Sequence, residues 1–163
     1  IAGPYCGQLL ADLGAEVIKI EPPKTGDAMR SWGVSKTPKG KSLWWPVIGR
    51  NKKSITLNLR SKAGQKIARD LIVEADILVE NFRPGTLEKW NLSPEKLKKE
   101  NDQLIIAQVS GYGQTGPNSN KAGFGAVAES VSGLRHLTGY PELPPTRVGI
   151  SIGDSLAGLF ATI

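Results

Sequence analysis

The stretch S-K-A-G-Q-K-I-A-R-D-L-I-V-E-A-D-I-L-V-E, Ser61–Glu80, carries the pattern that decides the fold class. Its first part, residues 61–73, places Ile67 and Leu71 at helical spacing, which predicts an amphipathic helix. Its last part, residues 76–80, is an almost continuously apolar run, which is typical of a parallel strand covered on both faces. A helix that leads directly into such a strand indicates an α/β fold.

The same alternation extends along the chain in both directions. Helices are predicted at residues 4–15, from the residues after 85 to Trp90, and from Ser93, whereas strands are predicted at residues 16–20, 54–59 and 104–109. Pro94 suits the first turn of the helix that begins at Ser93. Because strands and helices alternate, we predict a parallel α/β sheet with right-handed crossovers.

Composition limits the classes of partner. The chain has 163 residues, of which 39% are hydrophobic, and this length suits one globular domain. Lys and Arg number 21 against 15 Asp and Glu, so the net charge of +6 fits an anionic partner. The sequence has no zinc spacing, no RNP-like aromatic pattern and no continuous basic arm, so we predict no nucleic-acid partner. No apolar run approaches the roughly 18 residues of a membrane span, so we also predict no membrane partner.

Cysteine and histidine are each present once. Cys6 rules out a disulfide within this chain and is compatible with a reducing compartment, and its place in an apolar helix predicts a buried, inert thiol. His136 lies in a predicted helical run with Val127 and Val131, where a structural role is the simpler interpretation. One Cys and one His leave little scope for a soft metal site, so we predict no metal site.

The loops that follow the strands are where chemistry is expected, because α/β sheets bind ligands outside the carboxyl ends of their strands. These loops contain residues 22–30, Arg60, residues 81–85 and residues 110–117, and they are rich in Arg, Asn and Gly. The long loop after the first strand also contains an aromatic group, for which we predict packing: Trp32, Trp44 and Trp45.

A glycine-rich motif, Gly111-Tyr112-Gly113-Gln114-Thr115-Gly116, follows a strand and satisfies the G-x-G-x-x-G pattern of dinucleotide binding. That chemistry needs a helix to begin inside the motif, so that its N-terminus faces the pyrophosphate. Residues 117–120 instead have loop composition, and no strand with a ribose-binding acid follows. We therefore do not assign this motif to NAD.

One carboxylate, Asp154, opens an apolar helical run within V-G-I-S-I-G-D-S-L-A-G-L-F, residues 148–160. A helix-capping role is the simple interpretation, since Asp accepts hydrogen bonds from the first turn and suits the positive end of the helix dipole. However, Gly149, Gly153 and Gly158 surround it and would let another backbone or a ligand approach closely. Both interpretations remain open from these residues alone.

Read as a whole, the chain resembles the class III CoA-transferases, also called the CaiB/BaiF family. The resemblance covers nearly all of it, and the matching motifs come in the family's order: A-G-P at 2–4, L-A-D-L-G-A-E-V-I-K-I-E at 10–21, G-D-A-M-R at 26–30, R-N-K-K-S-I-T-L-N-L at 50–59, V-E-N-F-R-P-G at 79–85, G-Y-G-Q-T-G-P at 111–117 and S-I-G-D-S-L-A-G at 151–158. The resemblance implies a Rossmann-like parallel sheet with flanking helices. It also implies that residues 1–163 are the N-terminal part of an incomplete large CoA-binding domain, truncated at both ends, with the smaller second domain not present.

The resemblance further implies CoA transfer from an acyl-CoA to a free carboxylic acid through an aspartyl-CoA thioester. It places the catalytic aspartate at Asp154 and contacts to CoA at Ile1, Ala2, Leu57, Asn58, Arg60, Asn81, Phe82, Arg83, Lys89, Lys121 and Phe124. Pro22 stands where some members have a CoA-contacting Arg, and the Lys at 121 is offset by about one position. CoA and acyl-CoA would be substrates rather than permanently bound cofactors.

Two alternatives to transfer remain. An acyl-CoA racemase or isomerase of the same superfamily needs an acid and a base across the substrate α-carbon, and the racemase branch has a His in the segment that matches residues 122–124. Phe124 stands there, which disfavours this alternative. The other is a noncatalytic CoA-binding module, against which Asp154 argues. For the complete enzyme the resemblance implies an interlocked homodimer and a cytoplasmic location, or a mitochondrial one in a eukaryote.

Overall fold

The computed structural model of the chain describes residues 1–33, 37 and 40–163. Helices and strands follow one another in this order: α1 (Ala2–Asp12), β1 (Val17–Glu21), α2 (Trp44–Ile48), β2 (Lys52–Thr56), α3 (Lys62–Val73), β3 (Ile77–Glu80), α4 (Thr86–Lys89), α5 (Pro94–Glu100), β4 (Ile105–Gln108), α6 (Gly125–Val131) and α7 (Ile152–Phe160). A turn of 3₁₀ helix covers Ala28–Arg30. The predicted α/β class is therefore confirmed.

The strands pair in parallel, as predicted. β1 pairs with β2, with Val17 opposite Lys52, and β3 pairs with β4, with Ile77 opposite Ile105. Within the described residues these pairs form two separate two-stranded sheets rather than one continuous sheet. Helix α1 packs against both β1 and β3, so it lies across the two pairs, and α7 packs against α1.

Local side-chain contacts explain where these elements begin and end. β2 ends at Thr56, three residues before the predicted limit, because Asn58 starts a turn: its Oδ1 accepts from the Arg60 N–H at 3.1 Å and its carbonyl accepts from the Ser61 N–H at 3.0 Å. The Ser61 hydroxyl then accepts from the Gly64 N–H at 3.1 Å and caps α3. Helix α1 spans 2–12 instead of the predicted 4–15.

A single apolar cluster holds α3, α4, α5 and β4 together. Its buried members are Ala68, Ile72, Leu87, Leu92, Leu97 and Leu104. Burying each of these leucines contributes about 1.5–3 kcal/mol. β3 and β4 were predicted to be covered on both faces. This prediction is wrong where the two strands begin, because Ile77 and Ile105 are 41% and 59% exposed. Both residues open their strands and are register partners, so this end of the pair faces solvent.

The described part of the loop after β1 includes the 3₁₀ turn and α2. Residues 34–36 and 38–39 of that loop lie outside the described residues. Trp32 and Trp44 are only partly covered, with 45% and 38% of their surface exposed. Trp45 is half-buried, and the Arg30 guanidinium lies 3.8 Å from the centre of its ring.

The predictions for Cys6 and for the glycine-rich motif agree with the structure, whereas the prediction for His136 does not. Cys6 is fully buried and has a free thiol, as predicted. The G-x-G-x-x-G motif opens no helix, and Gly113 and Gly116 adopt positive φ angles of 76° and 89°. The expected helix around His136 is wrong, because α6 ends at Val131 and His136 lies exposed in the turns that follow. Gly133, with a φ of 81°, interrupts the helical pattern there.

Candidate functional site

Asp154 is the third residue of α7, and its carboxylate is half-buried. The residue before the helix is Ser151, and its side chain makes no capping hydrogen bond. Within the described part of the chain, the Asp154 carboxylate accepts no hydrogen bond and forms no ion pair. The hydrogen-bonding part of the capping interpretation is therefore wrong, whereas Asp154 does lie in the first turn of α7, where its charge suits the positive end of the helix dipole.

Two of the three glycines predicted to allow close approach, Gly153 and Gly158, bring other backbone segments close to α7, whereas a Cβ on Gly149 would have nothing within 4 Å. A Cβ on Gly158, one turn after Asp154, would lie 2.8 Å from the Ala2 carbonyl oxygen and 2.9 Å from the Tyr5 ring. A Cβ on Gly153 would lie 3.5 Å from the Cα of Gly125 in α6. Helix α7 is therefore held between α1 on one side and the start of α6 on the other.

The first turn of α1 also meets the loop after β3. A Cβ on Gly3 would lie only 2.7 Å from the Asn81 Oδ1 atom, so the amide of Asn81 rests directly on this turn. Ile1, Ala2 and Asn81 are three of the predicted CoA contacts. The structure brings them together beside the helix that carries Asp154.

The loop of Asn81, Phe82 and Arg83 is shaped by Glu80. The buried Glu80 carboxylate accepts from the Phe82 N–H at 2.6 Å and from the Gln108 side-chain amide at 2.9 Å. Burial raises the pKa of Glu80, and the two hydrogen bonds oppose that rise. The Phe82 ring packs edge-on against Trp90 with ring centroids 5.0 Å apart, while the Arg83 side chain is exposed.

Of the CoA contacts predicted after β2, Leu57 and Asn58 have structural roles and Arg60 is exposed to solvent. Leu57 donates its N–H to the Glu21 carbonyl at 3.0 Å and packs against the apolar cluster. Asn58 forms the turn into α3 described above, and Arg60 exposes its guanidinium. Arg60 is therefore the member of this group with a cation free to meet a charged ligand.

The remaining predicted contacts are exposed. Lys89 ends α4, Lys121 lies in the turn that follows residue 118, and Phe124 immediately precedes α6 with 71% of its surface exposed. Phe124 is adjacent in sequence to Gly125, which faces Asp154. No described contact joins Lys89 or Lys121 to Asp154.

An ionic cluster at the end of β1 was not predicted from the sequence. The buried Glu21 carboxylate accepts from Arg30 at 2.7 and 2.8 Å, from the Ser54 hydroxyl at 2.6 Å and from the Asp27 N–H at 2.7 Å. The hydrogen bond from Arg30 lowers the pKa of Glu21 to about 2. Lys19 pairs with the Asp27 carboxylate at 2.8 Å. The sequence signal was G-D-A-M-R after a strand that ends in Glu.

Lys52 forms a second unpredicted link. Its Nζ donates to the Pro4 carbonyl at 2.5 Å and so ties the start of β2 to the first turns of α1. Burial, together with the charge of nearby Lys19, lowers the pKa of Lys52 to about 8. The charged face of the β1–β2 pair therefore supports α1, which in turn supports α7.

Among the described residues, no three His, Cys, Asp or Glu side chains are grouped so that they could hold a metal ion. The described residues also form no helix that is both long enough and apolar enough to span a membrane. A surface groove of about 720 Å³ lies between α3 and α5 and contains none of the predicted site residues. Two of the five cations that line it, Lys66 and Arg69, are paired with Asp70 and Glu100.

Comparison with known proteins assigns the family. The model of CoA-transferase family III matches residues 1–163. The chain is 58% identical, over its whole length, to the succinyl-CoA–D-citramalate CoA-transferase of Chloroflexus aurantiacus, and 42% identical over 161 residues to the succinyl-CoA:glutarate CoA-transferase of Mus musculus. It spans 40% and 37% of the lengths of these two relatives.

A solved structure gives the same result for the fold. The crystal structure of a CaiB/BaiF family protein from Brucella suis superposes with a TM-score of 0.92 at 38% identity. The match covers 99% of this chain and 43% of that one. Sequence and fold agree across the whole chain, which therefore belongs to CoA-transferase family III.

Proposed function

We propose that this chain is the catalytic N-terminal part of a longer CoA-transferase, and that Asp154 is its nucleophile. The observation that carries the proposal is the Asp154 carboxylate, which is half-buried on α7 and has no hydrogen-bond partner among the described residues. A carboxylate held by its backbone, but not neutralised by a partner, is suited to attack a thioester. The family membership supports the same reaction class.

The proposed reaction proceeds in two symmetrical halves. An Asp154 oxygen attacks the acyl-CoA carbonyl, the C–S bond breaks, and a mixed anhydride and CoA thiolate form. The thiolate then attacks the Asp154 carbonyl carbon of the anhydride, which releases the first acid as a carboxylate and leaves an aspartyl-CoA thioester. The acceptor carboxylate reverses these steps, and Asp154 returns to its free form.

We also propose CoA-binding roles for the first turn of α1 and for residues that follow the strands. Ile1, Ala2 and Asn81 meet beside α7, and the exposed cations Arg60 and Arg83 follow β2 and β3. CoA carries a pyrophosphate and a 3′-phosphate, which guanidinium groups bind well. The remaining proposed contacts are Leu57, Asn58, Phe82, Lys89, Lys121 and Phe124.

For the substrates, we propose succinyl-CoA as donor and a small dicarboxylic acid as acceptor. Support comes from the two curated relatives above, whose names specify succinyl-CoA with D-citramalate and with glutarate. We also propose an interlocked homodimer. The segment after β4 exposes large apolar side chains that a partner would cover: Phe124, Val131, Leu137, Tyr140 and Phe160. A cytoplasmic or mitochondrial location is part of the same proposal.

The deciding experiment replaces Asp154 with Asn in the complete enzyme. Asp154→Asn keeps the shape of the side chain and removes the nucleophile. We expect the variant to fold and to bind CoA, while transfer from succinyl-CoA disappears. In the wild-type enzyme, succinyl-CoA followed by hydroxylamine should modify Asp154, as measured by peptide mass. Transfer at the wild-type rate by the variant, with no adduct on the wild type, would refute the proposal.

A further inference from the structure

Gly125, the first residue of α6, lies directly against the Asp154 carboxylate. A Cβ on Gly125 would be 3.0 Å from the Asp154 Oδ2 atom and 3.7 Å from its Cγ. A carbon at 3.0 Å is closer than ordinary van der Waals contact, so even a methyl group at position 125 would press on this oxygen.

The backbone at this position does not itself require glycine. Gly125 is absent from the glycines with positive φ and is the first residue of α6, so its backbone angles are open to other residues. A glycine that the backbone angles do not require has its clearest effect through the space it leaves at the carboxylate.

Gly153, on the α7 side of the contact between α6 and α7, has more room for an added methyl group. A Cβ on Gly153 would lie 3.5 Å from the Gly125 Cα and 3.7 Å from the Gly125 carbonyl oxygen, which are ordinary contact distances. A methyl group therefore fits between α6 and α7 when it comes from Gly153. A methyl group on Gly125 would instead meet the Asp154 Oδ2 atom.

We infer that Gly125 determines how large a group Asp154 can carry. This inference rests on the proposed function. When the anhydride forms, one Asp154 oxygen gains an acyl group, and when the thioester forms, a C–S bond replaces a C–O bond. Both intermediates are larger than the free carboxylate, and the space that a Gly125 side chain would fill lies next to Oδ2. Gly125 is therefore a specificity-determining residue that admits a succinyl group.

The test compares two glycine-to-alanine changes in the complete enzyme. Gly125→Ala should fold, should bind CoA with wild-type affinity, and should lower kcat for succinyl-CoA by about 10²-fold, since small misplacements of reacting groups have effects of that size. Gly153→Ala is the matched control and should retain activity close to wild type. With acetyl-CoA, whose acyl group is smaller, the loss in Gly125→Ala should be smaller than with succinyl-CoA. Hydroxylamine trapping should show less adduct on Asp154 in Gly125→Ala than in Gly153→Ala.

The outcomes separate this inference from the proposed function. If Asp154→Asn is inactive while Gly125→Ala is as active as Gly153→Ala, the inference is overturned and the proposed function stands. If Asp154→Asn is fully active, the proposed function fails first. If Gly125→Ala misfolds, the double variant Gly125→Ala/Asp154→Ala is the follow-up experiment. Folding of the double variant would show that the methyl group meets the Asp154 carboxylate. Misfolding of both variants would overturn the inference.

Discussion

The backbone of Gly158 in α7 lies so close to the carbonyl oxygen of Ala2 in α1 that a Cβ would come within 2.8 Å of it. Gly158 is one helical turn after Asp154, and Ala2 belongs to the turn on which Asn81 rests. This contact therefore fixes the position of the Asp154 helix relative to the segment proposed to bind CoA.

Gly158→Ala should destabilise this contact. The methyl group would meet the backbone of Ala2 and the Tyr5 ring, and a backbone carbonyl cannot rotate away as a flexible side chain can. We expect the free energy of unfolding to fall by about 1–3 kcal/mol. Urea unfolding would measure this loss, with Gly149→Ala as control because a Cβ there has nothing within 4 Å. Equal stability of Gly158→Ala and wild type would contradict the tight contact.

Glu21→Gln should change how stability depends on pH. The folded-state pKa of about 2 lies below the ordinary value of 4.5, so Glu21 stabilises the fold fully above pH 4.5 and loses this effect as pH falls through 2. The variant should be less stable at pH 7, and its stability should decline less between pH 4.5 and 2. Urea unfolding at several pH values would measure both. Glu16→Gln, which removes an exposed ion pair with Lys53, should show neither effect.

Lys52→Met should act at the opposite end of the pH scale. Because burial lowers the pKa of Lys52 from 10.5 to about 8, the unfolded chain binds more protons between these values, and the contribution of Lys52 to stability rises with pH across this window. Relative to wild type, Lys52→Met should show a flatter stability profile from pH 8 to 10.5. Lys53→Met, an exposed neighbour, is the control and should retain the wild-type slope.

Arg83→Ala in the complete enzyme should raise the KM for acyl-CoA about tenfold, as expected for one lost charge-assisted hydrogen bond, with little change in kcat. Lys98→Ala removes an exposed cation from α5 and serves as control. A truncated pantetheine thioester lacks the nucleotide, so its KM should not respond to Arg83→Ala. An equal KM increase for both substrates would argue against a nucleotide contact.

The hydrophobic periodicity of the sequence was sufficient to predict α3 and β3, because local sequence signals specify both elements. The helix 61–73 and the strand 76–80 each differ by one residue from α3 and β3, because the Ser61 cap and the apolar run are local signals. The pairing of Glu21 with Arg30 and the contact of Gly125 with Asp154 could not be predicted in this way. Both depend on the turns between the partners, and no local pattern encodes their distance.

For the candidate site residues too, the sequence identified the residue but not its tertiary contacts. Asp154 was identified by its motif, but the motif could not show that its carboxylate lacks a hydrogen-bond partner in the described structure. His136 was misplaced because the apolar spacing of Val127 and Val131 continues past the end of α6, where Gly133 turns the chain. The division into two strand pairs also depends on tertiary contacts rather than on any strand's own sequence.

The apolar cluster between Ala68 and Leu104 also has a consequence for the order of folding. All its buried members come from one continuous segment, and β3 pairs with β4 across a shorter stretch of chain than β1 with β2. Closing shorter loops costs less entropy, so this segment should form the folding nucleus, with the β1–β2 pair joining later. In hydrogen exchange, the slowest amides should then lie in α3, α5 and β4, and the Asp154 helix should exchange before them.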